Sequence, residues 1–316
     1  MGKICKIGIA LGGGGARGLA HLGVLCALEQ EGIAIDLLAG TSMGALVAGM
    51  YALSPQCDLI IERFRRYLDS KEFKKAYPEF LRPHNSEELK GYEGIFHRFA
   101  TFIKKGIFYS QSLTGRAAIS EENFSQNINL LLDDVDIQQT QIPLAVIALD
   151  LNSAEEVILQ KGSLRKAVSA SCAIPGILPP VRIDNRELVD GGWVDRVPVH
   201  AVREMGADLV IGVDVAEGLE DVEDLSTGLG LVLRTNEISR LTLTQWQLRE
   251  ADLVIAPEVS TIHWSDFGQV DECLRAGEQA AREKLGEIKN LVKRKKIKKI
   301  LGLPFQAHRY FLINRG

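Results

Sequence analysis

Residues 6–18 read KIGIALGGGGARG, and this stretch decides the fold class. Residues 6–11 predict a buried strand, because an apolar run at 7–11 follows Lys6, and the glycines that come next predict a tight turn. Residues 17–31 then carry leucines at helical spacing and are ended by Gly32. A strand, a glycine turn and a helix in this order predict an α/β protein with a mainly parallel sheet covered by helices on both faces.

Further short apolar runs continue this pattern along the chain. Runs bounded by turn residues predict buried strands. They lie at residues 35–38, 142–151, 156–160, 181–183, 187–189, 209–215 and 253–256. Residues 43–53 predict a helix, and its Ala and Gly content allows close packing on the sheet.

The composition limits the class of protein. The chain has 316 residues, of which 46% are hydrophobic and 25% charged, which is typical of a globular protein with a large core. Its net charge of -4 gives no reason to expect a nucleic-acid partner. Five widely spaced cysteines without a Cys-x-x-Cys pair argue against a disulfide framework or a zinc site and indicate a reducing cytosol. Without a signal peptide or an apolar run of about 20 residues, we expect a cytoplasmic protein that does not span a membrane.

An aromatic-rich segment interrupts the α/β pattern. Residues 64–109 hold 11 of the chain's 20 aromatic residues, and five apolar residues of 95–103 share one helix face. We expect a helical insertion within about residues 55–130 that packs on the sheet. A lid or a wall for an acyl chain is the alternative interpretation.

A basic segment lies near the end of the chain. Residues 282–299 hold nine Lys or Arg against two Glu, beside an apolar strip of Leu285, Ile288 and Val292. This pattern resembles a helix that lies on anionic lipid, which would place the protein peripherally on the inner membrane surface. The alternative is a solvated charged face.

The glycine loop is suited to hold an anion. Gly13, Gly14, Gly15 and Gly18 lie between a strand and a helix, so backbone amides can point to one place beside the positive end of the helix. The loop also matches G-x-G-x-x-G, and Asp36 lies near the position of a ribose-binding carboxylate. A dinucleotide-binding oxidoreductase is therefore one hypothesis.

A second glycine motif frames a serine. Residues 40–44 read GTSMG, a G-x-S-x-G between a short strand and a helix. In that setting, a sharp turn lifts the serine hydroxyl out of the sheet, and the glycines avoid clashes in the turn. Ser42 is therefore a candidate nucleophile.

A nucleophilic serine needs a base. Asp190 follows a strand candidate, and the adjacent Gly191 and Gly192 let other backbone approach its carboxylate. Partial desolvation raises the pKa of a carboxyl and makes its carboxylate a better base toward a hydroxyl. His200 and His263 are also eligible, because a Ser, acid, His order along the chain is that of an α/β-hydrolase triad.

The two glycine motifs and the Asp190-Gly191-Gly192 triplet, in this order and spacing, resemble the patatin-like phospholipase family. Residues 170–176 (ASCAIPG) and the two prolines at 179–180 are also typical of its bacterial members. The resemblance covers about residues 7–205. It implies a three-layer α/β/α patatin-like fold and a Ser–Asp dyad, with Ser42 as the nucleophile and Asp190 as the general base.

The same resemblance implies the remaining parts of the site. The backbone amides of Gly13, Gly14 and Gly15 would form the oxyanion hole, and Arg17 would help to fix their loop. We expect neither a metal nor an organic cofactor to take part. The supporting motif residues are Gly18, Gly40, Gly44, Gly191 and Gly192.

We therefore expect a serine acyl hydrolase that cleaves ester bonds of phospholipids or lysophospholipids. Residues 7–205 would form the catalytic domain, 206–270 its α/β continuation and 271–316 a basic helical tail. A carboxylesterase for soluble esters, a non-catalytic lipid-binding or regulatory protein and the oxidoreductase remain as alternatives.

Overall fold

The computed structural model describes residues 5–76, 119–215 and 225–302. Within these ranges, eight strands form one sheet in the order β5-β6-β3-β2-β1-β7-β8, with β4 paired to β3. The strands are Ile7–Leu11 (β1), Leu37–Thr41 (β2), Leu144–Asp150 (β3), Glu156–Leu159 (β4), Val181–Ile183 (β5), Arg186–Asp190 (β6), Leu209–Val213 (β7) and Leu253–Ile255 (β8).

Helices cover this sheet on both sides. They are Ala20–Gln30 (α1), Met43–Leu53 (α2), Cys57–Asp69 (α3), Lys71–Ala76 (α4), Glu121–Leu131 (α5), Leu164–Cys172 (α6), Val199–Glu204 (α7), Gly228–Leu248 (α8) and Val270–Ile300 (α9). Short 3-10 turns cover Gly15–Leu19, Ile137–Gln139 and Gly191–Trp193.

The centre of the sheet is parallel, as predicted. Strands β3, β2, β1, β7 and β8 run in one direction, whereas β4 and β6 are antiparallel to β3. Every residue of β1 is buried, because helices pack on both of its faces. Strand β2 begins at Leu37, two residues later than the run at 35–38 predicts, and ends immediately before Ser42.

The alternating side chains of β1 define the two outer layers. Ile9 belongs to a core cluster with residues of α1, α2 and α9, whereas Ala10 belongs to a second cluster with Val199 of α7 and Leu248 of α8. Helices α9 and α8 therefore lie on opposite faces of the sheet. This arrangement confirms the three-layer α/β/α prediction.

Helix α9 corrects the prediction for the apolar strip. Ile288 is fully buried, and Leu285 and Val292 pack against the same core, where α9 runs along α1. The strip therefore faces the protein rather than lipid, because a helix that covers a core shows the same periodicity as one that covers a membrane.

The basic end of α9 is held at one edge of the sheet. The Lys295 Nζ lies 2.7 Å from the Asp252 Oδ1, and the Lys299 Nζ lies 2.7 Å from the Asp208 Oδ2. These aspartates immediately precede β8 and β7. These two ion pairs hold the basic end of α9 at the amino-terminal edge of the parallel strands.

Part of the predicted insertion is helical. Helices α3, α4 and α5 fall within residues 55–130, but residues 77–118, including the apolar stripe at 95–103, lie outside the described residues. The interpretation of that stripe stays a prediction. None of the described helices combines the length and the apolar character that a bilayer-spanning segment requires.

Candidate active site

Ser42 occupies a strained turn between β2 and α2. Its backbone has φ 56° and ψ -125°, a conformation that non-glycine residues rarely adopt. A side chain at Gly44 would collide with the carbonyl of Leu11, and one at Gly40 would collide with the backbone of Ala45. The glycines therefore allow the sharp turn that the G-x-S-x-G pattern predicts.

A buried hydroxyl fixes the backbone of this turn. The Ser42 amide donates a hydrogen bond to Ser171 Oγ across 2.8 Å. Ser171 is fully buried on α6, within the 170–176 segment. The sequence drew attention to this segment but assigned Ser171 no role, because the contact joins residues 129 positions apart.

The sheet register brings Asp190 to Ser42. Strand β3 lies between β2 and β6, with Ile147 paired to Thr41 and Ala148 paired to Asp190. At this level the Ser42 hydroxyl lies close enough to the Asp190 carboxylate to lower the pKa of that carboxyl. The structure thus brings together the two side chains that the sequence singled out as nucleophile and base.

The surroundings of Asp190 have opposing effects on its pKa. Burial raises the pKa of this carboxyl, whereas the nearby Ser42 hydroxyl and a hydrogen bond from the Gly192 amide lower it. The amide of Gly192 lies 2.8 Å from Asp190 Oδ1. The charges of Arg240 and Arg196 also favour the ionised form.

Arg240 lies on the inner side of α8. Its guanidinium carbon is 5.0 Å from the centroid of the Trp193 ring, in the turn that follows Asp190. The Arg240 Nε is buried and has no hydrogen-bond partner among the described residues. Stacking on Trp193 therefore fixes a positive charge near Asp190.

The glycine loop offers two amides to the site. Among the described residues, no acceptor is found for the amides of Gly14 and Gly15. The Gly13 amide instead donates to the carbonyl of Arg196 across 2.9 Å, which differs from the expectation that Gly13 also contributes to the oxyanion hole. Gly15 has φ +57° and lies against the backbone of Trp264, so a side chain there would clash.

The buried side chains of Arg17 and His21 fix the position of the glycine loop. Arg17 Nε donates to the carbonyl of Ile262 at 2.5 Å, which supports the expected role of Arg17 in fixing the loop. His21 Nε2 lies 2.7 Å from the carbonyl oxygen of Gly12, and burial lowers the His21 pKa to about 4. The sequence did not indicate this contribution of His21.

The two histidines considered as bases lie elsewhere. His200 is exposed and pairs with Glu204 at 3.1 Å, and His263 Nδ1 lies 2.7 Å from Ser265 Oγ. In the part of the chain that the structure describes, neither contacts Ser42.

The dinucleotide hypothesis does not fit the position of Asp36. Its Oδ2 accepts a hydrogen bond from the amide of Ile7 at 2.7 Å, at the start of β1. The glycine loop follows the other end of that strand. A ribose carboxylate must lie on the same edge as the loop, so Asp36 cannot fill that role. The described ranges also contain no group of three or more His, Cys, Asp or Glu placed to hold a metal ion.

An apolar cavity opens beside Ser42. Its volume is about 180 Å³, and it is open to solvent. Its wall is formed by side chains of α2, α3, α5 and α6 and of the loop before α9, including Leu46, Phe64, Phe124, Ile128, Cys172 and Phe267. The Ser42 hydroxyl therefore meets a surface suited to a hydrocarbon chain.

Comparisons with known proteins point to one family. A sequence model described as patatin-like phospholipase matches residues 9–203. Patatin-like phospholipase domain-containing protein 6 of Mus musculus is 32% identical over 223 residues, which is 70% of this chain and 14% of that protein. Lysophospholipase nte1 of Emericella nidulans is 26% identical over 315 residues, which is 91% of this chain and 19% of that protein.

A solved structure shares the fold. Human GIVD cytosolic phospholipase A2 has a TM-score of 0.51 and 10% identity, covering 94% of this chain and 61% of that chain. The chain spans less than a fifth of the length of the two curated relatives named above. The family match nevertheless covers more than half of this chain and contains the glycine loop, Ser42 and Asp190. The chain belongs to the patatin-like phospholipase family.

Proposed function

We propose that the protein is a serine acyl hydrolase that cleaves ester bonds of phospholipids or lysophospholipids. The observation that carries the proposal is the register of β2, β3 and β6, which places the Ser42 hydroxyl beside the buried Asp190 carboxylate. A hydroxyl beside a buried carboxylate is positioned to lose its proton during attack on a carbonyl carbon.

The proposed reaction has two halves. In the first, Asp190 accepts the Ser42 proton while Oγ attacks the ester carbonyl. Asp190 then returns the proton to the departing alcohol, which leaves an acyl-Ser42 ester. In the second half, Asp190 takes a proton from water, the resulting hydroxide attacks the acyl carbon, and Ser42 leaves with the proton from Asp190.

The glycine loop would stabilise the negative charge of both tetrahedral intermediates. The amides of Gly14 and Gly15 have no competing acceptor among the described residues and follow the strand next to Ser42. A preorganised donor of this kind typically contributes about 3–4 kcal/mol to the transition state. The Gly13 amide would contribute only after losing its hydrogen bond to Arg196.

The cavity favours a lipid over a small soluble ester. Its wall contains aromatic and aliphatic side chains from helices α2, α3, α4 and α5, and Ser42 lies in the same surface. Burial of each CH₂ group of an acyl chain contributes about 0.8 kcal/mol to binding, so a long chain binds much more tightly than a short one. The relative named as a lysophospholipase is consistent with this substrate class.

We also propose a location in a reducing cytosol, at times close to anionic membranes. All five cysteines are free thiols, and two of them, Cys26 and Cys172, are only partly buried. Exposed basic residues at the end of α9, among them Lys293, Arg294 and Lys296, would attract anionic lipid. The apolar strip of Leu285, Ile288 and Val292 packs in the core and adds nothing to this attraction.

Release of fatty acid tests the proposed activity. We would incubate the protein with lysophosphatidylcholine, phosphatidylcholine and a short soluble ester and measure the acid by mass spectrometry. Ser42→Ala is expected to abolish release, whereas Ser153→Ala, in an exposed turn after β3, is expected to retain it. Activity on the short ester alone would favour the carboxylesterase. Thermal stabilisation of Ser42→Ala by vesicles, without hydrolysis by the wild type, would favour a lipid-binding protein.

A further inference from the structure

Helix α8 exposes a face without charged side chains. Its three charged residues, Arg234, Glu237 and Arg240, are all partly buried, and Arg234 pairs with Glu237 at 3.2 Å. Large apolar side chains are between 41% and 62% exposed on the outer face, namely Leu231, Val232, Ile238, Leu243 and Trp246. A surface helix of 21 residues usually carries charges on its solvent side. The outer face of α8 carries none within the helix, so its apolar side chains can be buried against an apolar partner at little cost.

The hydroxyls between these apolar residues are already satisfied. Thr235 Oγ1 donates to the carbonyl of Leu231, Ser239 Oγ to that of Thr235 and Thr242 Oγ1 to that of Ile238, each at 2.9 Å. A hydroxyl that bonds to the carbonyl one turn earlier needs neither water nor an acceptor on a partner. The centre of the face can therefore enter an apolar medium without losing hydrogen bonds.

The polar groups lie at the margins of this face. At 100° per residue, Asn236 and Gln245 fall on its two sides, outside the arc of the exposed apolar and hydroxyl residues. At the carboxyl end, the Arg249 guanidinium carbon lies 4.2 Å from the centroid of the Trp246 ring. Tryptophan is favoured where hydrocarbon meets headgroups, and an adjacent arginine is complementary to lipid phosphate.

The inner side of α8 contacts the segment that carries Asp190. Arg240 stacks on Trp193, and Gln247 Nε2 donates to the carbonyl of Val194 at 2.7 Å. A lipid surface on the outer face of α8 would thus lie one helix away from the turn that follows Asp190.

The size of the face argues against a second copy of the chain. A helix of this length covers a footprint of about 30 Å by 10 Å, or roughly 300 Å². A stable dimer buries about 800 Å² on each partner. A bilayer has no such requirement, because shallow insertion of a few apolar side chains and nearby phosphate contacts are enough for reversible binding.

We propose that the exposed face of α8 docks on a lipid bilayer, with Leu231, Val232 and Trp246 at the level of the upper acyl chains. This contact lies on the opposite face of the sheet from α9. The inference rests on the proposed function for its purpose, since a lipid hydrolase must reach substrate held in a membrane.

Vesicle sedimentation with the full chain tests the docking surface. Ser42→Ala serves as the background, so that binding is measured without hydrolysis, and the vesicles contain phosphatidylcholine alone to remove electrostatic attraction. We expect the triple variant L231Q/L243Q/W246Q to lower the partition coefficient by about tenfold or more. The control variant I297Q/I300Q/L301Q changes three apolar residues of comparable exposure at the end of α9 and is expected to bind like its background.

Tryptophan fluorescence supplies a second readout. Transfer of Trp246 to the interface predicts a blue shift of the emission with vesicles, and Trp246→Phe should remove most of the shift while retaining most of the binding. Equal binding by the α8 variant and its background, or a loss confined to the α9 variant, would overturn the proposal. So would a wild-type dimer that the α8 variant converts to monomer without change in vesicle binding.

The soluble-ester assay separates the two proposals. With Ser42 intact, the α8 variant should hydrolyse a short soluble ester at the wild-type rate. Absence of hydrolysis in the wild type would contradict the proposed function but leave the vesicle result to decide on α8.

Discussion

The hydroxyl of Ser171 accepts a hydrogen bond from the backbone amide of Ser42, with 2.8 Å between the two atoms. This bond holds the amide of a residue whose backbone is strained, and both residues are buried. Ser171→Ala leaves a buried amide without its acceptor, which costs about 1–3 kcal/mol of unfolding free energy. We expect kcat to fall more than KM rises, because the position of the Ser42 hydroxyl changes.

Ser163→Ala is the matched control for this prediction. Ser163 caps the same helix, α6, by accepting a hydrogen bond from the amide of Lys166 at 3.2 Å. Loss of the cap costs about 1 kcal/mol but does not touch Ser42. Urea unfolding and ester hydrolysis would be measured on both variants. Equal activity of Ser171→Ala and Ser163→Ala would show that the Ser171 contact supports only stability.

The acidic limb of the pH profile reports on Asp190. The proposed base must be ionised, and burial raises the pKa of Asp190 above the ordinary value of an aspartate. Activity is therefore full above this raised pKa and is lost as the pH falls through it. Arg240→Gln removes a charge that lowers the pKa, so the limb of kcat/KM should move to higher pH.

Arg249→Gln is the control for the pH profile. Arg249 is an exposed arginine at the end of the same helix, and its guanidinium stacks on Trp246 on the outer face. With a short soluble ester as substrate, its profile should match that of the wild type. An unchanged limb in Arg240→Gln would mean that the Arg240 charge does not act on the base.

The wall of the cavity predicts chain-length selectivity. Leu46 lies one turn after Ser42 on α2 and contacts the cavity. Leu46→Trp should fill the space and lower kcat/KM for esters of long acyl chains by about tenfold or more, because several CH₂ groups lose their contacts. Esters of short acids should change much less, and Leu46→Met should preserve the wild-type ratio. A parallel loss for long and short chains would place the acyl chain elsewhere.

Local motifs predicted the elements that carry the site but not how they are held together. The strand before the glycines, the turn at Ser42 and the strand that ends at Asp190 are each visible in a few consecutive residues. The contacts of Arg17 with Ile262 and of Ser42 with Ser171 join positions more than a hundred residues apart. No spacing rule in one sequence gives such pairs, because they depend on how the layers pack.

The amphipathic helices show a second limit of sequence patterns. The strip at Leu285, Ile288 and Val292 has the periodicity of a membrane helix, yet it lies in the core. The periodicity reports only that one face leaves water, and not which apolar partner covers it. Helix α8 shows the opposite case. Ser and Thr lie between the apolar residues of its exposed face, so its sequence looks like that of an ordinary surface helix.

The basic end of α9 gives a prediction that depends on salt. Replacing Lys293, Arg294, Lys296 and Lys298 by Gln should weaken binding to vesicles that contain phosphatidylglycerol, by about 1 kcal/mol for each residue that lies near the surface. The difference from wild type should shrink at high ionic strength. Lys295 and Lys299 stay unchanged, because they pair with Asp252 and Asp208. Unaltered binding at low salt would show that these residues form a solvated face without a part in membrane binding.

The proposed hydrolysis depends on activation of Ser42 by Asp190. The most direct test is intact-protein mass spectrometry after exposure to a fluorophosphonate, with Ser42→Ala and Asp190→Asn treated in parallel and circular dichroism used to show that each is folded. We expect a single adduct on Ser42 of the wild type, no adduct on Ser42→Ala and strongly slowed labelling of Asp190→Asn. Labelling of Asp190→Asn at the wild-type rate, or the absence of an adduct on the folded wild type, would contradict this activation.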